Sequence, residues 1–424
     1  MKLKSISFEN YKAFKEKQTL EIRPITILIG KNSSGKSAIA KLFTLLENSL
    51  SNQIKEPLLL NNNGVELGAE FLDLVYGKIP NSPIKFTINF NIDKSNKLRI
   101  HNDYIEVDIL KPRDEFYPII ERWENNSMIF YNRGTQISYD YKIPSFEGIS
   151  IKGFRGILPE WEITTNKTTN HPAYYGIDYE RLITLKLDYI GPFRIVPKRM
   201  FDMAIPISSE KTGIQGENAY NYLIRSEIEK TELIKNVGQW YKNHFDSWEL
   251  KVSTKRSPYF EILLCKEVNG QELEINIADT GQGISQALPL VVRAFTKEED
   301  SIIVLEQPEL HLHPAAHADL AELFAWSAKT KKQSFIIETH SENILLRLRK
   351  LVVENNFGFT KDDVIIYWVD NAENGGQQIT PITIDVEGTL STWPDGVFTE
   401  NVNEIIEMRK TLKKKKAKDN DTKI

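Results

Sequence analysis

The chain has 424 residues, 41% of them hydrophobic and 26% charged, which is the composition of a globular protein with one large α/β domain or two domains. Its net charge of −4 excludes binding of nucleic acid through overall positive charge, so any such site has to be a local patch. Its one cysteine, Cys265, permits no internal disulfide, and without an apolar leader or a run of about 18 apolar residues we expect a cytoplasmic protein.

The first 50 residues predict a strand, a turn, a second strand, a loop and a helix. Residues 25–29, ITILI, are a mainly apolar run, which indicates a buried strand, and the sequence GKNSSGKS follows at residues 30–37. From Lys36 onward, apolar side chains recur at the spacing of one helix face. A glycine-rich loop between a buried strand and a helix is typical of a phosphate-binding P-loop.

The chemistry of this loop suits a nucleoside triphosphate. Gly30 and Gly35 allow successive backbone N–H groups to face one anion, and the start of the helix adds the positive end of its dipole. We expect the Lys36 ammonium to reach the β- and γ-phosphates and the Ser37 hydroxyl to hold Mg²⁺. The predicted ATP-binding residues of the loop are Gly30, Asn32, Ser33, Ser34, Gly35, Lys36, Ser37 and Ala38.

The middle of the chain has the period-two alternation of a half-buried antiparallel sheet. Apolar and polar residues alternate through residues 84–92 and again through 105–109. Shorter strands are predicted at 128–131 and 137–141, and an irregular surface segment at 148–178. The next predicted elements are a strand at 185–190, helical structure at 217–246, strands at 260–265 and 273–277, and a helix that ends at Ala294.

The last third of the chain alternates strands and helices, which favours a mostly parallel sheet and an α/β fold. Its predicted elements are strands at 302–305, 334–337 and 364–369, a helix that starts beyond Pro314 and a helix at 343–353. Residues 401–424 are a basic tail with a run of four lysines, which we expect to be a frayed, solvated terminus.

Two strand ends in the last third carry side chains suited to phosphoryl transfer. Residues 301–309 form an apolar strand that ends in Glu306, Gln307 and Glu309. A P-loop enzyme needs a carboxylate near Mg²⁺ and a group that positions the attacking water. Glu306 stands at the metal side, whereas Gln307 and Glu309 both remain candidates for positioning the water. His340 ends the next strand, where its imidazole can donate a hydrogen bond to a γ-phosphate.

A second glycine-rich turn lies shortly before the acidic strand. Residues 279–286, DTGQGISQ, lead into a helix, so this turn is another helix N-terminus that can bind an anion. Its candidate binding residues are Gly281, Gly283, Ser285 and Gln286.

The motifs GKNSSGKS, DTGQGISQ, VLEQPELHLHP and ETHSE, in this order, resemble the ATP-binding-cassette-type (ABC-type) heads of the RecF, SMC and OLD ATPases. In those heads they are the Walker A loop, the signature loop, Walker B with its D-loop, and the switch histidine. Residues 189–198 and 393–398 further resemble a bacterial subgroup of stand-alone AAA-type ATPases that is often predicted in phage-defence loci.

The resemblance implies an α/β fold of the ABC-type P-loop ATPase head, with a mixed or parallel core sheet, an inserted antiparallel β-sheet and a helical subdomain. The head would span residues 1–400, followed by the basic tail at 401–424. Within the head, we expect a core lobe at 1–60 and 260–400, an inserted β-rich region at about 80–200 and a helical region at about 215–250.

The resemblance also implies that two heads enclose two ATP molecules, each held by the P-loop of one chain and the signature loop of the other. Lys36 and Ser37 would hold phosphate and Mg²⁺, Glu306 would support the metal, Ser285 would contact the γ-phosphate in trans, and His340 would sense it. The cofactors are therefore ATP and Mg²⁺, and the partner is a second copy of the chain or a higher homo-oligomer.

One departure from the motif predicts slow chemistry. Many relatives have Asp-Glu where this chain has Glu306 and Gln307, and a glutamine cannot accept a proton. We therefore expect slow ATP hydrolysis, with ATP acting mainly as a conformational switch. The switch would act on a separate effector protein, such as a nuclease or toxin, in anti-phage defence or nucleic-acid surveillance.

Two other functions stay open from the sequence. A RecF-like clamp for DNA repair or DNA ends would need a basic face, and the candidates for it are Lys198, Arg199, Lys251, Lys255 and Arg256. A self-contained OLD-like nuclease would need more carboxylates than the pair Asp385 and Glu387 supplies. A zinc site is disfavoured, because Pro314 interrupts the helical spacing of the candidate ligands His311, His313 and His317.

Overall fold

The structure is a computed structural model that describes residues 2–51, 53–91, 103–133, 136–142, 149–163, 185–202, 211–256, 258–296, 299–393 and 407–410. Its strands are β1 (Lys2–Glu9), β2 (Gln18–Glu21), β3 (Ile25–Gly30), β4 (Asn61–Asn62), β5 (Val65–Glu66), β6 (Ile84–Asn91), β7 (Tyr104–Leu110), β8 (Ile119–Glu124), β9 (Met128–Arg133), β10 (Gln136–Tyr141), β11 (Ile149–Arg155), β12 (Leu158–Ile163), β13 (Leu187–Ile190), β14 (Phe201–Asp202), β15 (Glu249–Arg256), β16 (Tyr259–Val268), β17 (Gln271–Asn276), β18 (Ile302–Glu306), β19 (Ser334–Glu338), β20 (Val364–Asn371) and β21 (Gln377–Ile382). Its α-helices are α1 (Lys36–Ser49), α2 (Ala219–Glu229), α3 (Glu232–His244), α4 (Gln282–Phe295), α5 (Pro314–Thr330) and α6 (Glu342–Glu354). Most of the tail predicted at 401–424, and residues 394–398, lie outside the described residues.

The core sheet has the strand order β13-β18-β19-β3-β20-β21, in which the first five strands run parallel and β21 runs antiparallel at the edge. The strands β3, β18 and β19 are buried along almost their whole length, as expected for a parallel sheet covered on both faces. Because the carboxyl ends of parallel strands meet at one edge, the P-loop and the ends of β18 and β19 come together there.

The alternating side chains of the core sheet enter two hydrophobic layers. On one face, α1 packs between the core sheet and a seven-stranded antiparallel sheet of order β10-β9-β8-β7-β6-β1-β2. On the other face, α4, α5 and α6 cover the core sheet, together with α2 and α3. The structure therefore confirms the α/β class, with a mostly parallel core, an antiparallel sheet and a group of helices.

The boundaries of the parts differ from those expected from the sequence. The strands β1 and β2 were expected in the core lobe, but they pair with each other and, through β1, with β6 of the antiparallel sheet. Conversely, β13 falls within the expected inserted region but pairs in parallel with β18 of the core sheet. The order of strands in a sheet depends on pairing between segments that are distant in the chain. The local pattern of apolar and polar residues therefore does not predict it.

Two local predictions are corrected. The segment 148–178 was expected to be irregular, but β11 and β12 form an antiparallel hairpin in its first half, closed by Gly156 at φ +57°; residues 164–184 lie outside the described residues. The helical stretch expected at 217–246 is two helices, because Lys230 adopts a left-handed conformation after α2 and Thr231 begins α3 in an extended one.

A four-stranded antiparallel sheet lies beside the helices, with β16 between β15 on one side and β14 and β17 on the other. The helix α3 packs against β15, and α4 follows directly from β17 after a short turn. A buried ion pair between Arg293 Nε of α4 and Asp188 Oδ2 of β13, 2.8 Å apart, ties this part to the core sheet. Within the described residues, no helix has the length and apolar character needed to cross a bilayer.

Candidate nucleotide-binding site

The P-loop begins where β3 reaches Gly30, a position with no room for a side chain. A Cβ there would lie 2.4 Å from the backbone oxygen of Val369 on the neighbouring β20. Gly35, with φ +95°, is the residue before α1, and a Cβ there would lie 3.1 Å from the ring of Phe14. Both glycines are therefore needed for the loop to turn tightly into the helix.

The Lys36 side chain folds into the loop that it ends. Its Nζ donates hydrogen bonds to the backbone oxygens of Gly30 at 3.0 Å and Lys31 at 2.7 Å, and the residue is only 3% exposed. Burial lowers the pKa of Lys36, and the nearby carboxylate of Glu338 acts in the opposite direction. An anion in the loop would favour the charged ammonium and remove this unfavourable effect of burial.

Glu338 is a candidate site residue that the sequence analysis did not identify. It ends β19, it is 4% exposed, and its Oε2 accepts a hydrogen bond of 2.8 Å from the Ser37 hydroxyl. Burial, followed by the charge of Glu306, raises the pKa of Glu338 to about 7. An acidic residue at the end of a buried strand was the available signal, but its relation to Ser37 appears only once β19 is placed beside β3.

Glu306 lies next to Glu338, because the two residues are paired in the register of β18 and β19. Its side chain is buried, and its Oε1 has no hydrogen-bond partner among the described residues. Burial raises the pKa of Glu306, and a hydrogen bond from Tyr189 lowers it. Two neighbouring carboxylates and the Ser37 hydroxyl are hard oxygen ligands, which is the donor set that Mg²⁺ prefers beside a phosphate.

Gln307 turns the chain at the end of β18 with φ +44°, a left-handed conformation that is uncommon for a residue other than glycine. Its backbone N–H donates to the Glu338 backbone oxygen at 2.8 Å. Two residues later, Glu309 Oε1 accepts a hydrogen bond of 2.7 Å from the His340 backbone N–H, while its buried Oε2 has no partner within the described residues. Burial, followed by the charge of Lys36, lowers the pKa of His340, which favours the neutral imidazole.

These groups surround a cavity of about 360 Å³, lined by Asn32, Ser33, Ser34, Gly35, Lys36, Ser37, Ala38, Gln307, Glu338 and His340. The buried hydroxyl of Ser34 has no hydrogen-bond partner in the described part of the chain, as expected for a donor that serves a ligand. The predicted acids Glu306 and Glu309 are not among the lining residues. Seven of the eight predicted P-loop residues, all except Gly30, line the cavity together with Gln307 and His340, and this lining fits a triphosphate with Mg²⁺.

The signature loop, residues 279–286, is not part of this lining. Its helix α4 begins after Gly281, without a side-chain cap, and a Cβ at Gly283 would lie 3.0 Å from the backbone oxygen of His311. The Ser285 hydroxyl is largely buried and donates to the Gln282 backbone oxygen at 3.1 Å. Gln286 is buried, and its Nε2 donates to the Arg194 backbone oxygen at 3.1 Å.

Four of the five basic side chains considered for a DNA clamp, all except Lys198, have an acidic partner within the part of the chain that the structure describes. Of the basic candidates, Arg199 pairs with Asp279, Lys251 with Glu272, Lys255 with Glu274 and Arg256 with Glu261. These ion pairs reduce the positive potential that a DNA clamp would use.

The candidate metal ligands also have structural roles. His313 caps α5 by accepting a hydrogen bond from Ala315 N, while His317 contacts the Ser341 hydroxyl and the Leu312 backbone oxygen. Asp385 Oδ1 accepts hydrogen bonds from the backbone N–H groups of Glu387 and Thr389, so it closes its own turn.

Comparison with known protein families finds two matching profiles. The profile of a family described as AAA ATPase domain matches residues 1–172 and 201–345, which include the P-loop, the signature loop and His340. A second profile, described as a protein of unknown function (DUF3696), matches residues 360–408. No curated protein matches the chain significantly.

Among solved structures, the chain is similar to three heads of SMC proteins, each with 12% sequence identity. One is an SMC head bound to the C-winged helix domain of ScpA, with a TM-score of 0.49 over 90% of this chain and 98% of that one. The SMC head domain from Thermotoga maritima has a TM-score of 0.42 over 90% and 99% of the two chains. The Pyrococcus furiosus head, with an extended coiled coil and bound to the C-terminal domain of ScpA, has a TM-score of 0.43 over 96% and 99%.

Proposed function

The chain belongs to the AAA ATPase domain family, and from this premise we propose that it is a slow, Mg²⁺-dependent ATPase whose two copies close around ATP. The observation that carries the proposal is the composition of the cavity. The P-loop, Gln307, Glu338 and His340 line it, whereas Gly281, Gly283 and Ser285 of the same chain do not. In this proposal, the P-loop of each chain is one half of a binding site. The N-terminus of α4 is the other half, and it acts on the ATP bound to the second copy.

The cavity supports binding of a triphosphate through fixed charges and dipoles. Lys36 and the N-terminus of α1 supply positive charge for the phosphates, and the loop N–H groups add donors. Mg²⁺, which neutralises charge on the phosphates, would be held by Ser37 and Glu338, with Glu306 as the supporting acid. The N-terminus of α4, with no side-chain cap among the described residues, would meet the γ-phosphate of ATP bound to the other copy.

The water-positioning groups favour slow hydrolysis. Gln307 lines the cavity and can orient a water molecule through its amide, but it has no basicity with which to accept a proton. Glu309 Oε1 accepts a hydrogen bond from the His340 N–H, and its Oε2 is buried in a residue that does not line the cavity. Proton transfer is therefore less direct than with a carboxylate at position 307, and the ATP-bound dimer would be long-lived.

A long-lived ATP-bound dimer suits a switch better than a motor. We propose that the closed dimer presents a surface that controls a separate effector protein, such as a nuclease or toxin, in bacterial anti-phage defence or nucleic-acid surveillance. The support for this role is the resemblance of the motifs to stand-alone ATPases of that kind, together with Gln307 in the catalytic slot.

The experiment is light scattering after size-exclusion chromatography with Mg²⁺ and a non-hydrolysable ATP analogue. Wild type should run as a dimer with the analogue and as a monomer with ADP. Lys36→Ala should stay monomeric because it loses phosphate binding, and Ser285→Arg should bind the analogue but stay monomeric. Lys235→Gln, an exposed change on α3, is the control and should dimerise like wild type. Normal dimerisation of Ser285→Arg would contradict the proposal.

A further inference from the structure

The segment that follows β13 places an arginine between the start of α4 and the end of β18. Arg194 is 5% exposed. Its Nη1 donates to the Gln286 backbone oxygen at 3.4 Å, and its Nη2 donates to the Gln307 backbone oxygen at 2.9 Å. Gln286 Nε2 donates in return to the Arg194 backbone oxygen at 3.1 Å. One side chain thus joins the signature helix to the turn that carries Gln307.

The buried environment of Arg194 is unfavourable for its charged guanidinium, which is hard to explain if the side chain only fills space. Among the described residues, no carboxylate oxygen lies within hydrogen-bonding distance of its guanidinium, and its buried Nε has no hydrogen-bond partner. Burial lowers the pKa of Arg194 to about 10, while the negative charge of Glu309 acts in the opposite direction. A buried guanidinium without an ion pair is costly, and apolar packing would be a more stable alternative.

The turn that Arg194 holds is itself strained. Gln307 has φ +44°, and such a conformation persists in a non-glycine residue only where the surroundings enforce it. Two hydrogen bonds do so here, since the Gln307 N–H donates to Glu338 and its carbonyl accepts from Arg194. With the backbone held on both sides, the Gln307 side chain lines the nucleotide cavity.

We propose that Arg194 is a positioning residue, which orients Gln307 toward the nucleotide and couples that turn to the start of the signature helix of the same chain. This inference rests on the proposed ATPase function. It implies that a movement of Gln307 in one binding site is passed to the helix start that faces the other copy. Loss of the guanidinium should therefore slow hydrolysis while leaving nucleotide binding intact, because Lys36 and Ser37 are untouched.

The first test compares Arg194→Gln and Arg194→Lys with wild type in ATP turnover and in binding of a fluorescent ATP analogue. For Arg194→Gln we expect kcat to fall by about ten- to a hundredfold, the effect of a displaced catalytic group. The Kd of the analogue should change by no more than about twofold. Arg194→Lys, which keeps a donor, should recover part of kcat. Arg225→Gln, an exposed arginine of α2 paired with Glu229, is the matched control and should behave as wild type.

The second test separates positioning from general destabilisation by adding Gln307→Ala. If Arg194 acts through Gln307, Arg194→Gln should slow the Gln307→Ala enzyme far less than it slows wild type. Three results would overturn this inference but not the proposed function. They are an equal fold reduction in kcat with and without Gln307→Ala, an unchanged kcat in Arg194→Gln, and a joint loss of nucleotide binding and melting temperature in Arg194→Gln. A wild-type protein that neither binds nor hydrolyses ATP would overturn the proposed function as well as this inference.

Discussion

At the scale of residues, the two carboxylates at the ends of β18 and β19 place buried acidic groups next to the P-loop. Glu306 and Glu338 are neighbours in the sheet and both are buried, and the charge of Glu306 adds to burial in raising the pKa of Glu338. A divalent cation beside them would offset that repulsion and would be held more tightly in turn. Glu338 accepts a hydrogen bond from Ser37 and lines the cavity, which makes it the better candidate for binding the proposed Mg²⁺ directly.

Glu338→Gln should therefore weaken Mg²⁺-dependent nucleotide binding. The Mg²⁺ concentration for half-maximal binding should rise by about ten- to a hundredfold, the effect typical of a lost carboxylate at a metal site. A titration of Mg²⁺ with a fluorescent ATP analogue measures this, and Glu354→Gln on the exposed side of α6 is the control. An unchanged Mg²⁺ requirement in Glu338→Gln, with a shift in Glu306→Gln, would assign the metal to Glu306 alone.

Gln307→Glu tests the reason given for slow turnover. The substitution places a proton acceptor at a position that already lines the cavity, so kcat should rise by about tenfold or more. Steady-state phosphate release measures the rate, and Gln239→Glu on the exposed face of α3 controls for the added charge. A lower or unchanged kcat in Gln307→Glu would mean that the amide itself is the better water-positioning group.

The residues of the P-loop were predictable because they are contiguous and match the pattern of one known loop. Gln307 and His340 were also predicted, since each lies just after an apolar strand, and both line the cavity. Glu338 and Arg194 gained no role from the sequence, because their contacts join segments that are far apart in the chain. The contact between Arg194 and Gln307 spans 113 positions, and that between Ser37 and Glu338 spans 301.

At the scale of elements, the position of β19 between β3 and β18 determines the site. It brings Glu338 and His340 beside the P-loop and supplies the backbone oxygen that holds Gln307. The elements of the core were predictable from their apolar runs and alternation with helices. The edge strand β21 was not, because it carries polar residues and Pro381, which an edge tolerates.

The hairpin of β11 and β12 provides a test of packing between elements. Gly156 has φ +57°, and a Cβ there would lie 2.1 Å from the Ser49 backbone oxygen at the end of α1. Gly156→Ala should therefore lower the free energy of unfolding by about 2–4 kcal/mol, as expected for backbone strain combined with a steric clash. Gly270→Ala is the matched control, since Gly270 has φ +80° but no atom within 4 Å of the added Cβ. Its cost should be only about 1–2 kcal/mol.

Thermal or urea unfolding of the two variants gives the comparison directly. Equal destabilisation by Gly156→Ala and Gly270→Ala would show that the hairpin does not press against α1 and that only backbone conformation matters at both sites.

At the scale of the whole molecule, the proposed function assigns one ligand to two separate surfaces of the chain. One is the cavity lined by the P-loop, Gln307, Glu338 and His340, and the other is the uncapped start of α4. Arg194 connects the two surfaces inside one chain. Nothing in the sequence indicated that connection, because the pairing of α4, β13 and β18 is a property of the folded chain.

The measurement that tests this account most directly is ATP hydrolysis by a mixture of two inactive variants. Lys36→Ala lacks a working P-loop and Ser285→Arg lacks a working signature loop, so each should be inactive alone. In a mixed dimer, one site combines the intact P-loop of one copy with the intact signature loop of the other. Because neither variant dimerises alone, the dimers in an equimolar mixture are mixed ones with one complete site of two, and the mixture should recover up to about half of wild-type activity. If the mixture stays as inactive as its components, ATP is not shared between two copies and the account is contradicted.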